Sequence, residues 1–164
     1  MTYVDSDGTI SDFLGWALEK DPHALDSPDN TLHWERVSEL MVLHCDEVFL
    51  VSKPLSCADF FIDEVKKNDD WFVLTALSEP HRLEKYCKNI SVEEVLNKHK
   101  ENKYLWFEKR GIPREKVIIC ESSKDKIQYC KDHDDLLYDD NWDNIIAWRN
   151  AGGSTIKVGN KYVD

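Results

Sequence analysis

The sequence predicts an α/β protein with a mostly parallel sheet of about five strands flanked by helices. Short and strongly apolar runs recur along the chain, which is typical of strands that are buried on both faces of a parallel sheet. The connections between these runs are long enough for crossover helices and too long for hairpins. The predicted strands are 3–4, 71–74, 117–120, 136–138 and 155–158.

The connections carry signals for helix ends. Ser91 followed by Glu94 has the spacing of a capping box. After Asn141, apolar residues repeat with helical periodicity until Gly152 and Gly153, which are typical of a helix C-terminus. Helices are therefore expected before the third strand and before the last one.

The first two strands are roughly 65 residues apart, which is more than one crossover helix needs. A turn-rich cluster at 26–31 interrupts this stretch, and the segments around 32–44 and 56–67 have amphipathic patterns. We therefore predict a core made of 1–12 and 68–164, with a small helical cap inserted at 13–67.

The composition limits the class of protein. A chain of 164 residues with 41% hydrophobic and 32% charged residues is expected to form one well-buried domain with at most a small subdomain. The formal net charge of -11 disfavours binding to extended nucleic acids or anionic membranes. A small-molecule ligand is expected instead, and the oligomeric state stays open, with a homodimer compatible with the sequence.

The cysteines and the N-terminal residues indicate the compartment. Five cysteines form no C-x-x-C pair, so neither a disulfide framework nor a zinc ribbon is expected. The first residues lack a basic segment followed by an apolar run, and no apolar stretch is long enough to span a membrane. We expect a cytoplasmic protein without a membrane anchor.

The motif Asp5–Thr9 directly follows the first predicted strand and precedes a helical pattern. Ligands of parallel α/β sheets bind at the carboxyl ends of the strands, where the next helix N-terminus favours an anion. Asp5 and Asp7 are therefore expected to point into this crevice, and Gly8 permits a tight turn close to a ligand.

Other predicted strands also end in polar residues. Thr75 directly follows the second strand, the third strand leads to Lys124 and Lys126, and Asp139 and Asp140 directly follow the fourth strand. Because the carboxyl ends of parallel strands meet at one edge, these groups are expected to converge there.

A calcium loop is a weaker interpretation of the same motif. If Gly8 is the sixth residue of an EF-hand loop, Tyr3 and Leu14 stand where the first and last carboxylates belong. Both end ligands are then missing, so calcium binding is disfavoured.

The order of these features resembles the haloacid-dehalogenase (HAD) phosphohydrolase superfamily. The shared features are D-x-D-G-T, an apolar run ending in Thr75, a lysine, and an apolar run ending in two aspartates. Segments Asp7–Phe13, 103–109 and 136–140 are more similar to its 5'(3')-deoxyribonucleotidase branch. The similarity covers most of the chain and is weakest in the predicted cap.

The resemblance implies a Rossmann-like core with a cap, and magnesium-dependent hydrolysis of phosphomonoesters, most closely of (deoxy)nucleoside monophosphates. It implies that Asp5 is the nucleophile that forms a phosphoaspartate and that Asp7 is the general acid and base. Mg²⁺ is then expected on Asp5, on the backbone carbonyl of Asp7, and on one or both of Asp139 and Asp140.

The resemblance also implies that Thr75 and Lys126 hold the phosphoryl oxygens, with Lys124 and Lys131 as alternatives to Lys126. Two other functions stay open. One is a polynucleotide 3'-phosphatase or another small-molecule phosphatase of the superfamily. The other is a metal- or nucleotide-binding protein without catalytic activity on the same fold.

Overall fold

The computed structural model describes residues 1–26 and 30–162, so the middle of the predicted turn at 26–31, residues 27–29, lies outside the described residues. Five strands form one sheet, and every pairing in it is parallel. The strands are β1 (Thr2–Val4), β2 (Trp71–Ala76), β3 (Val117–Cys120), β4 (Leu136–Asp139) and β5 (Ser154–Lys157). Their order is β3-β2-β1-β4-β5, with helices on both sides. The predicted fold class, a parallel α/β sheet flanked by helices, is confirmed.

Helices fill the connections between the strands. The α-helices of the described residues are α1 (Phe13–Lys20), α2 (Asn30–Leu43), α3 (Ala58–Lys67), α4 (Pro80–Glu84), α5 (Val92–Glu108) and α6 (Trp142–Asn150). Two 3-10 helices, Arg114–Lys116 and Ser123–Tyr129, flank β3. Within residues 1–26 and 30–162, none of the helices has the length and apolar character that crossing a membrane would require.

Different helices cover the two faces of the sheet. Because side chains alternate along a strand, Tyr3 and Val4 point to opposite faces. The Val4 face packs against Phe61 of α3 and Trp106 of α5. The Tyr3 face packs against Trp148 of α6. This burial on both faces is the reason for the short, wholly apolar runs in the sequence.

A further apolar cluster joins α1 and α2 to Phe49 and to Val95 of α5. α3 instead packs on the sheet, although it belongs to the segment 13–67 predicted as the cap. The division into core and cap stays a prediction.

The helix ends follow the sequence closely. The Ser91 hydroxyl accepts a hydrogen bond from the backbone N–H of Glu94 at 3.1 Å, which caps α5 as its spacing predicts. The Asn141 side chain caps α6 by accepting from the N–H of Asp143 at 2.8 Å. Both helices therefore begin where local hydrogen bonding favours them.

Candidate active site

The carboxyl ends of β1, β2 and β4 meet at one edge of the sheet. The register pairs Val4 with Tyr138, and the backbone N–H of Asp5 donates to the carbonyl of Tyr138 at 2.9 Å. Asp5 and Asp139 therefore stand at the same level of neighbouring strands. Thr75 ends the apolar part of β2 on the other side of β1 and is fully buried.

The loop after β1 is tightly folded. The carbonyl of Ser6 accepts hydrogen bonds from the backbone N–H groups of residues 9–11 at 2.8 to 3.2 Å. Gly8 has φ 83°, in the left-handed region that favours glycine. A Cβ atom on Gly8 would lie 2.3 Å from Oδ2 of Asp140, so the loop can approach this carboxylate only with glycine there.

The structure brings Lys126 into the site from the 3-10 helix that follows β3. Its buried Nζ donates to Oδ1 of Asp5 at 2.7 Å and to Oδ2 of Asp139 at 2.8 Å. Burial alone would lower the pKa of Lys126, but the two carboxylates outweigh it and raise the pKa, so the side chain is an ammonium. The alternatives Lys124 and Lys131 are exposed at the surface.

Lys103 is a site residue that the sequence reasoning missed. It lies on α5 with only 1% of its side chain exposed. Its Nζ donates to Thr75 Oγ1 at 2.9 Å and forms an ion pair with Oδ2 of Asp7. Lys103 thus connects the predicted acid/base carboxylate to the predicted phosphate-binding hydroxyl.

The sequence contains one signal that could have found Lys103. The buried face of α5 includes Val95, His99 and Trp106, and Lys103 falls on this face by helical spacing. A lysine on the buried face of an amphipathic helix requires a partner, because an unpaired buried charge is costly.

Three carboxylates form a candidate metal site. Asp5, Asp139 and Asp140 each offer an oxygen, and these atoms lie within 4.8 Å of one another. Asn144 donates to Oδ2 of Asp139 at 3.0 Å, and Asn160 donates to Oδ2 of Asp140 at 2.6 Å. Both carboxylates are therefore held in place by neighbouring amides, as is common for metal ligands.

The charges of the site favour a cation. Burial raises the pKa of Asp5 well above its usual range, and the neighbouring Asp139 and Asp140 add to this. Burial also raises the pKa of Asp140. Counting Asp7, four carboxylates lie close together here, and the ammonium groups of Lys126 and Lys103 pair with three of them. A divalent cation would offset the remaining repulsion, and an all-oxygen ligand set suits Mg²⁺.

The predicted residues therefore converge at one edge of the sheet: Asp5, Asp7, Thr75, Lys126, Asp139 and Asp140. The side chain of Asp7 pairs with Lys103, outside the carboxylate cluster of the candidate metal site. The predicted metal contact of the Asp7 carbonyl stays a prediction.

No protein-family model matches the chain, and no curated protein matches it by sequence. Among solved structures, it is similar to the UTR4 protein of Saccharomyces cerevisiae, with 10% identity over 97% of this chain and 89% of that chain, and a TM-score of 0.47. It is also similar to the HAD domain of the effector protein Lem4 of Legionella pneumophila, with 17% identity over 98% and 86% of the two chains, and a TM-score of 0.45. At such low identities and TM-scores, we infer neither family nor activity from these structures.

Proposed function

We propose that this protein is a magnesium-dependent phosphomonoester hydrolase of the HAD superfamily that acts through a phosphoaspartate on Asp5. The observation that carries the proposal is the junction of Asp5, Lys126 and Asp139, buried together at the carboxyl end of the sheet. Lys126 holds a nucleophile candidate beside a metal-ligand candidate. Thr75 and the ion pair of Asp7 with Lys103 lie next to this junction.

The first step transfers the phosphoryl group to the protein. A carboxylate oxygen of Asp5 attacks phosphorus, and the bond between phosphorus and the ester oxygen breaks. Asp7 in its protonated form gives its proton to the leaving oxygen, so the alcohol departs neutral. Mg²⁺ on Asp5, Asp139 and Asp140 would supply charge that lets the anionic ester approach an anionic nucleophile.

The second step releases phosphate. Asp7, now a carboxylate, takes a proton from a water molecule whose oxygen attacks the phosphorus of the acyl phosphate. The bond to Asp5 breaks, which regenerates its carboxylate and frees inorganic phosphate. Lys126, Lys103 and Thr75 are the donors that offset the charge of the phosphoryl oxygens in both steps.

We further propose nucleoside monophosphates, above all deoxyribonucleotides, as the substrate class. This rests on the resemblance of Asp7–Phe13, 103–109 and 136–140 to the deoxyribonucleotidase branch. The position of Lys103 adds support, because the first residue of the middle segment reaches the site.

The test is release of inorganic phosphate from a panel of 5'- and 3'-monophosphates of ribo- and deoxyribonucleosides, with Mg²⁺ and with EDTA. We expect turnover of the deoxyribonucleotides that falls by at least about 100-fold in EDTA. Activity only on nucleic-acid ends would instead favour a polynucleotide 3'-phosphatase. Tight binding of a nucleotide without turnover would favour the non-catalytic alternative.

Asp7→Asn is expected to stop turnover and leave Mg²⁺ binding largely intact. The amide cannot exchange the proton that both steps require, so we expect a loss of about 10²–10⁴-fold in kcat. The Asp7 side chain pairs with Lys103 outside the candidate metal site, so the dissociation constant for Mg²⁺ should change only a few-fold. Calorimetric titration with Mg²⁺ measures this, and an affinity lower by orders of magnitude would refute the assignment.

A further inference from the structure

The backbone of Phe49 has an unusual conformation. Its φ is 68°, and among the residues that the structure describes it is the only non-glycine residue with a positive φ. The side chain is almost completely buried, with 5% of the residue exposed. Left-handed backbone is unfavourable for a bulky residue, and it persists where the surrounding contacts require it.

The ring of Phe49 faces the ammonium group of Lys103. The distance from Nζ of Lys103 to the ring centroid is 4.2 Å, which is within the range of a cation–π interaction. Asp7 and Thr75 are the other two neighbours of this ammonium. A lysine ammonium has three N–H donors, so the ring supplies the third partner of a group that is shielded from water.

Phe49 is itself fixed by aromatic neighbours. The ring of Phe13 stacks on it at 5.1 Å between centroids and an angle of 27°. The edge of His99 meets it at 5.4 Å and 82°. His99 is also tied to α2, because its Nε2 lies 3.0 Å from the carbonyl of Met41. Three parts of the chain therefore determine where the ring lies.

His99 does not compete with Lys103 as a second cation. Burial lowers the pKa of His99 to about 4, so the ring is neutral at pH 7. Lys103 lies one helical turn further along α5, and the pair thus presents one positive charge to the Phe49 ring.

We propose that Phe49 is a positioning residue for the reaction, and this inference rests on the proposed phosphatase function. The negative face of its ring holds the Lys103 ammonium between Asp7 and Thr75, where it serves the acid/base carboxylate and the phosphoryl oxygens together. The left-handed backbone of Phe49 is the conformation that presents the ring to this ammonium.

The test changes the electrostatics of the ring without changing its shape. Mono-, di- and trifluorinated phenylalanine are placed at position 49, because fluorine progressively weakens the negative face of the ring. We expect kcat for a nucleoside monophosphate to fall by about twofold per fluorine and about tenfold for the trifluorinated ring. KM should change much less than kcat. A purely structural defect would not lower kcat in proportion to the number of fluorines.

The matched control is Phe61, which is buried to a similar extent at 4% and whose ring contacts Phe60 and Tyr138. The same fluorinated series at position 61 should leave kcat within about twofold, since no reacting group depends on that ring. A graded loss of kcat at position 61 equal to that at position 49 would overturn the proposal.

A second measurement does not depend on activity. Urea unfolding of the position-49 series is compared between the wild-type background and Lys103→Met, in a double-mutant cycle. The unfolding midpoint should fall with each fluorine when Lys103 is present and stay constant in Lys103→Met. Equal shifts in both backgrounds, or an unchanged kcat in the fluorinated series, would overturn the positioning role. The fluorinated rings are nearly isosteric with phenylalanine, so these variants should fold. If Lys103→Met does not fold, the kinetic series alone decides the question.

These results separate the two proposals. Wild-type protein that is inactive on every phosphomonoester tested, nucleic-acid ends included, would overturn the phosphatase function and the positioning role of Phe49 with it. The unfolding cycle would then still report whether the ring holds the ammonium. Active wild-type protein with a flat fluorine series would overturn the role of Phe49 alone.

Discussion

Asp5→Asn is expected to lower kcat by at least about 10⁴-fold while the protein stays folded. An amide in this position cannot form an acyl phosphate, and no other described carboxylate is held by Lys126 in the same place at the end of β1. Residual turnover would have to come from direct attack by water with the remaining donors. Phosphate release under single-turnover conditions measures the loss.

The fold should tolerate this change because the Asp5 carboxylate is costly to ionise in the folded protein. Burial raises the pKa of Asp5 above its value in the unfolded chain. The contribution of the Asp5 group to the stability of the folded protein is therefore fully present below the unfolded pKa and is lost as pH rises through the folded pKa. At pH 7 in EDTA, Asp5→Asn should therefore unfold at the same or higher urea concentration than the wild type. Its stability should also decrease less between pH 4 and pH 7, because the raised pKa of Asp5 makes the wild type lose stability as pH rises above the unfolded pKa.

A conservative change of an exposed carboxylate provides the comparison. Asp134 has 82% of its side chain exposed, so Asp134→Asn should leave both kcat and the unfolding midpoint unchanged. Undiminished turnover in Asp5→Asn would exclude a phosphoaspartate on this residue. If Asp5→Asn lost both its activity and its fold, the conclusion that the ionised Asp5 carboxylate destabilises the folded protein would be wrong.

The sheet and its strand-end residues could be predicted because they depend on local sequence patterns. Short apolar runs fix the strands, and parallel pairing forces their carboxyl ends together, so Asp5 and Asp139 had to meet once the fold class was right. The sequence did not show which lysine enters the site, because Lys124, Lys126 and Lys131 all follow β3. Only the 3-10 helix capped by Ser122 and Asp125 determines which of them turns inward.

Lys103 and Phe49 could not be predicted in the same way because neither follows a strand. Lys103 is 28 residues from Thr75 and 96 from Asp7, and it reaches them only through the packing of α5 against the sheet. The role proposed for Phe49 depends on a positive φ and a ring contact, and neither leaves a pattern in the sequence. Phe49 lies within an apolar stretch, where the simplest interpretation is burial alone.

Lys126→Met should destabilise the protein by about 3–5 kcal/mol in the absence of Mg²⁺. The substitution keeps the apolar stem but removes the ammonium that lies 2.7 Å from Asp5 and 2.8 Å from Asp139. Both carboxylates are buried, so each would have to stay ionised without this partner or take up a proton. Urea unfolding at pH 7 in EDTA measures the loss of stability.

Two comparisons test whether the loss of stability comes from the buried charge of Lys126: the addition of Mg²⁺ and the substitution of a neighbouring exposed lysine. If the carboxylates form a metal site, Mg²⁺ should restore more stability to Lys126→Met than it adds to the wild type, because the cation replaces the missing charge. Lys124→Met is the control: Lys124 lies two residues away and is 85% exposed, so this variant should stay within about 0.5 kcal/mol of the wild type. Equal destabilisation of the two variants would mean that the contacts of Lys126 with Asp5 and Asp139 do not stabilise the folded protein more than an exposed lysine does. A loss in Lys126→Met that Mg²⁺ does not reverse would instead count against the metal site and leave the Lys126 ion pairs as a structural feature.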